Sequence, residues 1–513
     1  MLYGGYKYIM ARNYKIIEKE IAETGFFSEY LPPCLKLDPK VFMKAPSENC
    51  DLIEAYCFTM SRYNGNDARR SIFIPEIGAY IVVRNYIRQE HIVRDLVEFT
   101  ERDEASFSPI LSKDDSIMRH EQSYRGTQVQ LDEISSDYIE NIAKKIVKSA
   151  GAKKVLKLDI SNCFSSFYMH MIPVILLGVE GAERDYNKCL KDSGDQTITD
   201  IYRKYRKLDE VLRRQNLNRT NGLLSGPLTS KIIAEGILTR IDTELKGEGV
   251  KFSRYVDDYE IYLFDDDEKA MISIFTRVLK RYGFSLNNEK TEVVDFPYYV
   301  AENLEKIFKY LIKEQSDSSD LMELFNTFFL MEKNGTKGAI RYLLKSLEKK
   351  QIEPTVPSLY KAYLLTIIGN NERSLTKACS LLIENKESLS LDENDVAIIK
   401  RMLNNHIHLE HDLEELWLLY LLIETGNVQI DDPIVKQVID SKNELAHIIL
   451  LRKGLLGSEK IVQISNNAIS WLLLYELYVA NHITEQVFIS KLHLNKNLEM
   501  YQYLKRNNVH FCI

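Results

Sequence analysis

The sequence predicts an α+β fold over residues 1–300 followed by an all-α, helical-repeat fold over residues 301–513. Before residue 300, runs with strand character (Val155–Leu158, Phe252–Val256, Tyr259–Phe264, Glu292–Phe296) alternate with stretches at helical period (Ile77–Glu90, Ile139–Ser149, Ser230–Leu245, Glu268–Tyr282). After it, apolar residues recur almost only at helical spacing, as in Leu304–Glu314, Lys337–Lys349, Ser358–Ile368, Leu413–Glu424, Ile434–Ile439, Ala468–Ala480 and Thr484–Leu492. Short Gly, Asn or Pro breaks separate these segments. Successive amphipathic helices with short turns bury their apolar sides on one another, as in a HEAT-like array. The lack of a fixed sequence period leaves an irregular helical bundle open, and the lack of a low-complexity linker predicts direct packing of the two parts.

At roughly 100–200 residues per domain, 513 residues make two to four domains. With 45% hydrophobic and 27% charged residues, the chain is globular rather than disordered. Apolar runs such as Ile172–Val179 and Ile469–Leu474 fall short of the roughly 18 residues of a membrane span, and the start, Met1–Lys7, has no signal-peptide core, so a cytosolic chain is expected. Seven scattered cysteines with no C-x-x-C pair support neither a zinc site nor a disulfide framework. The net charge of −7 divides into −3 before residue 300 and −4 after it, so neither part is a basic nucleic-acid clamp. Any nucleic acid must be held locally. The run Arg203–Lys207 with Arg213, Arg214 and Arg219 is one candidate, a solvated helix face the other reading.

The residues that carry chemistry fall in four strings. Tyr255-Val256-Asp257-Asp258 joins two strand-like runs at an acidic pair, which alone would be turn chemistry. Upstream, Lys157-Leu158-Asp159-Ile160 places another aspartate where an apolar strand ends. Two-metal phosphoryl transfer requires carboxylates from separate elements to hold two cations roughly 3.5–4 Å apart, and Asp159 with Asp257 could form that clamp. Between them, Gly222–Ser230 is a glycine-flanked turn entering a helix, which lets backbone approach a nucleotide. After them, Gly283–Thr291 carries Lys290, placed to meet a leaving pyrophosphate as acid or counter-charge.

In this order and spacing the strings resemble the palm of a reverse transcriptase: motif A from Asp159 to Ser166, motif B from Gly222 to Ser230, the Y-V-D-D form of motif C from Tyr255 to Asp258, and motif D from Gly283 to Thr291. Ala68–Pro75 followed by Tyr80 is similar to the fingers segment of that class. The resemblance divides residues 1–300 into fingers (about 1–150) and palm (about 151–300). It implies Arg69 and Arg70 as triphosphate ligands, with Ser225 and Gly226 beside the nucleotide. Phe164 is implied as a steric gate against a ribose 2′-hydroxyl, hence deoxynucleotide use. Asp159, Ile160, Asp257 and Asp258 are the implied holders of two Mg²⁺ ions, with Mn²⁺ as a substitute.

Finer wording narrows the likeness. D-I-S-N-C-F-x-S with Tyr168 and His170, S-R-Y-V-D-D, the helix from Ser230 to Glu235 and the tail from Asn288 to Pro297 all resemble the abortive-infection (Abi) reverse transcriptases of bacteria. Those enzymes follow fingers and palm with a helical-repeat domain. The layout is closest to the prophage-encoded P-two type, with AbiK a longer relative. The resemblance implies phage defence through template-independent DNA synthesis primed by a tyrosine, single-stranded DNA attached to the protein, and a homo-oligomer with a possible phage component as partner. Leu224 and Ser225 stand where templated enzymes usually carry Pro and Gln, which fits untemplated addition. Among 30 tyrosines, Tyr3, Tyr6 and Tyr8 lie in a glycine-containing amino terminus and are the candidate primers. Two other readings stay open, an RNA-templated retron-like reverse transcriptase and a non-catalytic helical sensor or scaffold.

Overall fold

A computed structural model describes residues 14–43, 50–62, 68–111, 137–300, 302–313, 316–350 and 356–513. The first part opens with α1 (Tyr14–Glu23), the antiparallel hairpin β1 (Tyr56–Ser61) and β2 (Arg69–Ile74), then α2 (Ile77–Gln89), α3 (Ile92–Thr100) and α4 (Asp137–Lys148). The palm follows as β3 (Lys154–Asp159), α5 (Cys163–Ser166), α6 (Val174–Lys191), α7 (Asp200–Arg214), α8 (Leu228–Gly247), β4 (Phe252–Tyr255), β5 (Asp258–Leu263), α9 (Glu268–Arg281) and β6 (Glu292–Asp295). The four strands form one antiparallel sheet in the order β4-β5-β3-β6.

Strand alternation gives this sheet two unlike faces. Leu156, Leu158, Tyr259, Ile261 and Leu263 are buried on one face, where the Tyr259 ring meets Phe275 of α9 edge-on at 4.9 Å. The other face carries Lys157 between its cross-strand partners Glu260 and Glu292, and is capped from α4 by Lys145, 2.9 Å from Glu260. Opposite charges on neighbouring strands suit an open face. Asp159 and Asp258, two steps along from Lys157 and Glu260, lie on that open side.

The second part is all helix, as predicted. It comprises α10 (Leu304–Leu311), α11 (Ser318–Lys333), α12 (Ala339–Lys350), α13 (Pro357–Asn370), α14 (Glu372–Glu384), α15 (Glu393–His408) and α16 (Asp412–Glu424). It continues through α17 (Pro433–Asp440), α18 (Glu444–Arg452), α19 (Ser458–Asn467), α20 (Trp471–Val479), α21 (Glu485–Leu492) and α22 (Leu498–Arg506). From α12 to α22 each even-numbered helix packs on the next even one, and α11, α13, α15 and α17 form a second row outside them. That two-layer order is an array rather than an irregular bundle. Two helices of the inner row are enclosed nearly all round, with Leu413–Leu422 of α16 and Trp471–Val479 of α20 buried throughout, because they have neighbours on both sides. Among the described residues, no helix is long and apolar enough to cross a membrane.

The array closes back on the fingers, so the direct packing predicted from the missing linker is more extensive than a single seam. Phe511 stacks with Phe26 at 6.1 Å and meets Trp471 at 5.5 Å and Tyr475 at 5.2 Å, while Phe26 also packs on Tyr80 at 4.8 Å. The Lys36 N–H donates to the Phe511 carbonyl at 3.1 Å and the Ile513 N–H to the Cys34 carbonyl at 2.9 Å. Asp51 accepts the N–H groups of Asn495, Lys496 and Asn497 at 2.8–3.0 Å. Glu76, fully buried, caps α2 at the Ala79 N–H (2.8 Å) and accepts from the Tyr501 hydroxyl at 2.5 Å.

Because this core is shared, urea should unfold the chain in one transition. Glu76→Ala, which strands the Tyr501 hydroxyl inside, should cost about 2–4 kcal/mol in that same transition. A separate first transition that leaves the array folded would show two independent cores.

Candidate active site

Register brings the three acids together. β3 ends on Asp159, whose antiparallel partner on β5 is Asp258, and β4 turns into β5 through only Val256 and Asp257. One carboxylate oxygen from each of Asp159, Asp257 and Asp258 lies within 4.8 Å of the others. The two-residue turn has Val256 at φ 55, a left-handed conformation that a β-branched residue avoids. Its strain must be held from outside.

The holding groups are polar and buried. The Val256 N–H donates to the Ser108 hydroxyl at 2.8 Å, and its carbonyl accepts from Arg254 Nη1 at 3.0 Å. Arg254 is 0% exposed. From α8 its guanidinium takes Glu235 by both oxygens, at 2.8 and 2.9 Å, and Asp242 at 2.6 Å. Residues 105–107 run beside β4, with the Arg254 N–H donating to the Ala105 carbonyl at 2.8 Å and the Phe107 N–H to the Arg254 carbonyl at 2.7 Å.

The acids themselves are under-compensated. Burial and the charge of Asp159 push the Asp257 carboxyl up, against the opposing pull of Lys290 and Arg70. Asp258 is exposed at the cleft edge, where partial desolvation and the charges of Asp257 and Asp159 push it up to about 7. Asp159 has local cationic and polar cover: Lys290 Nζ lies 3.1 Å from one oxygen and the Asn287 amide donates to the other at 2.8 Å. The Asn287 N–H also donates to the Asp159 carbonyl at 2.8 Å, and the Ser161 N–H to the Ser285 carbonyl at 2.8 Å, which laces motif D to motif A. Three converging carboxylates with excess negative charge fit a hard divalent cation. Ile160, its side chain buried and its N–H directed at the Asp257 carbonyl (3.3 Å), has only its own carbonyl to offer such an ion.

Asp257 opens into a cavity of about 270 Å³. Arg70, Phe164, Ser225, Gly226 and Lys231 line it with the segment Thr24–Tyr30. Phe164 is half-buried, on the short helix α5 just after motif A's strand. Gly226, at φ 127, lets motif B lie on β2: a Cβ there would sit 2.7 Å from the Phe73 carbonyl, and the Ser225 carbonyl accepts the Phe73 N–H at 2.7 Å.

Other expectations are met differently. Strand alternation separates the two fingers arginines: Arg70 lines the cavity, whereas Arg69 lies on the opposite side and pairs with Glu414 of α16. In the basic run, Lys204 pairs with Asp95 (2.6 Å), Arg213 with Asp209 (2.8 Å) and Arg214 with Glu210 (2.9 Å), which is an ion-paired helix face. Tyr3, Tyr6 and Tyr8 lie outside the described residues. Cys163 is buried and its thiol is pushed up by burial, in keeping with a packing role. Sequence reading did not single out Arg254, Asn287 and Lys231. Each stands inside a quoted motif, and only burial or register distinguishes it there.

Asp258 gives a signed pH dependence. Its folded value near 7 exceeds the unfolded value of about 3.9, so the metal-free folded state holds a proton that the unfolded chain releases. The stability from this group is full below about pH 4 and is lost as pH rises toward 7. Without metal, the melting temperature should fall between pH 5 and 8, less steeply in Asp258→Asn, and a divalent cation should restore the wild type at pH 8. A second expectation concerns the hairpin tip. Arg254→Met should cost about 3–5 kcal/mol in urea unfolding by leaving Glu235 and Asp242 buried without their cation.

Comparison with known proteins agrees with this geometry. A family model described as reverse transcriptase (RNA-dependent DNA polymerase) matches residues 104–317, which contain all three acids and Lys290. No curated protein matches the chain. Among solved structures, telomerase from Candida albicans in complex with a TWJ fragment of telomeric RNA is similar at 13% identity and a TM-score of 0.29, over 73% of this chain and 68% of that one. So loose a likeness carries no argument. The matched segment and its converging acids establish that the chain carries a reverse-transcriptase domain and is a nucleotidyltransferase of the RNA-directed DNA polymerase-like kind.

Proposed function

We propose that the protein polymerises deoxynucleotides onto one of its own tyrosines without a template, as a phage-defence enzyme of the abortive-infection type. The observation that carries the polymerase chemistry is the three-carboxylate cluster at the mouth of a cavity lined by Arg70, Phe164 and Ser225. Asp159, the Ile160 carbonyl, Asp257 and Asp258 would hold two Mg²⁺ ions, replaceable by Mn²⁺, and these supply Lewis-acid activation of the attacking and leaving oxygens. Arg70 binds the triphosphate by its forked guanidinium. Lys290, 3.1 Å from Asp159, would give a proton to the departing pyrophosphate. Phe164 fills the space a ribose 2′-hydroxyl would need.

One feature supports untemplated addition. Ser225 lacks the long amide that would help hold a nucleotide on a template strand. The family description, RNA-dependent DNA polymerase, favours the second reading, a templated enzyme copying a dedicated RNA.

Purified, nuclease-treated protein given labelled dNTPs, Mg²⁺ and no nucleic acid should acquire label that stays with the denatured polypeptide. Incorporation only on addition of RNA would favour the templated enzyme. Asp257→Ala with Asp258→Ala should abolish labelling and defence together, and Asp159→Ala should do the same. Phe164→Ala should narrow the preference for dNTPs over rNTPs by at least about tenfold, read from competing kcat/KM values.

A further inference from the structure

We infer that α16 of the helical array braces the outer wall of the nucleotide cavity, with Glu414 as a positioning residue for Arg70. The inference rests on the reading of Arg70 as the triphosphate ligand.

Three side chains of α16 reach the fingers. Glu414 takes the Arg69 guanidinium by both oxygens, at 3.1 and 2.5 Å, in a pair whose side chains are 3% and 16% exposed. Asp412 accepts both the N–H and the hydroxyl of Thr59 on β1, at 2.8 and 3.0 Å. The Trp417 indole N–H donates to the Tyr30 carbonyl at 2.7 Å. Tyr30 and Arg70 both line the cavity, and Met60, next to Thr59, is the strand partner of Arg70.

Arg69 and Arg70 share a peptide bond and project to opposite sides of β2, so a twist that frees one turns the other. The strand is gripped at Arg69 by α16 and at Phe73 by the Ser225 carbonyl, and Arg70 projects between the two grips. Glu414 acts where it cannot touch substrate. Its carboxylate is held by Arg69 on the side of the strand away from the cavity. A buried, two-pronged ion pair of this kind has one good geometry, which suits it to fixing a strand rather than to adding stability. A shift of α16 within the array would therefore reach nucleotide binding first and the carboxylate cluster last.

The test uses the full-length chain with Glu414→Gln, Glu414→Asp and Trp417→Phe, reading dNTP KM and kcat alongside amide hydrogen exchange of residues 69–74. Glu414→Gln should raise KM about tenfold with kcat changed much less, the size of one lost charge-assisted hydrogen bond. It should also speed exchange at the Phe73 amide. Glu414→Asp, which keeps the charge, should lie nearer the wild type, and Trp417→Phe should raise KM through the Tyr30 wall. Unchanged KM and unchanged β2 exchange in Glu414→Gln would overturn the inference, as would a fall in kcat at constant KM. If the wild type incorporates no dNTP, the polymerase reading fails, and β2 exchange alone then decides whether α16 braces the strand.

Discussion

The structure depends first on a cation with no access to water. Arg254 sits under the hairpin tip with Glu235, Asp242 and the Val256 carbonyl as partners and Asp103 3.9 Å away. An ion cluster of this kind is costly to bury and carries little net stability by itself. Its charges nonetheless balance. Burial pushes Asp242 well up, and its bond to Asp103 raises it further, while Asp103 is held below its usual range, against burial, by that bond and by Lys246. Asp242 Oδ1 and Asp103 Oδ2 have no other hydrogen-bond partner among the described residues, which suits one proton held on Asp242 and donated to Asp103. Two cations then face two anions, and the cluster can spend its directional bonds on a valine turn that would otherwise relax.

The contrast with the neighbouring acids is instructive. Behind the turn the charges are partnered, whereas in front of it Asp257 is pushed toward protonation by burial and Asp159, and Asp258 by partial desolvation, Asp257 and Asp159. A site kept short of positive charge is a site prepared for a cation from solution. Lys290 and Asn287 each hold one oxygen of Asp159 and so orient its carboxylate, while adding only one cation to three acids. Rigidity behind and unspent charge in front are what a preorganised nucleotidyl-transfer site requires.

How much of this was legible depended on range. The palm strands were readable because β-branched and aromatic residues alternate around Asp159 and the Asp257–Asp258 pair, and the structure places each within a residue or two of its expected span. The helical array was readable from its period, but its two-row order was not, since the evenly apolar α16 and α20 acquire their neighbours only through long-range packing. Arg254 looked like one more charged residue between apolar ones. Nothing local announces a buried guanidinium whose partners lie 12 and 19 positions upstream. Arg69 and Arg70 were read as a pair because they adjoin in sequence, and period-two geometry is what divides them, one toward the cavity and one toward α16.

That division explains why the array cannot be treated as an appended module. The cavity has a floor made by the palm and an outer wall made by β2 and Thr24–Tyr30, and the wall is held between α16 on one side and motif B with the start of α8 on the other. The same segments share the aromatic core of Phe26, Trp471 and Phe511, so the wall has no independent hydrophobic support to retreat to. A hinge between polymerase and array would have to break buried charge pairs and a continuous core together. Among the described residues, movement between polymerase and array is therefore confined to small displacements of packed helices, and the nearest consequence of such a displacement is the position of the residues that face the nucleotide.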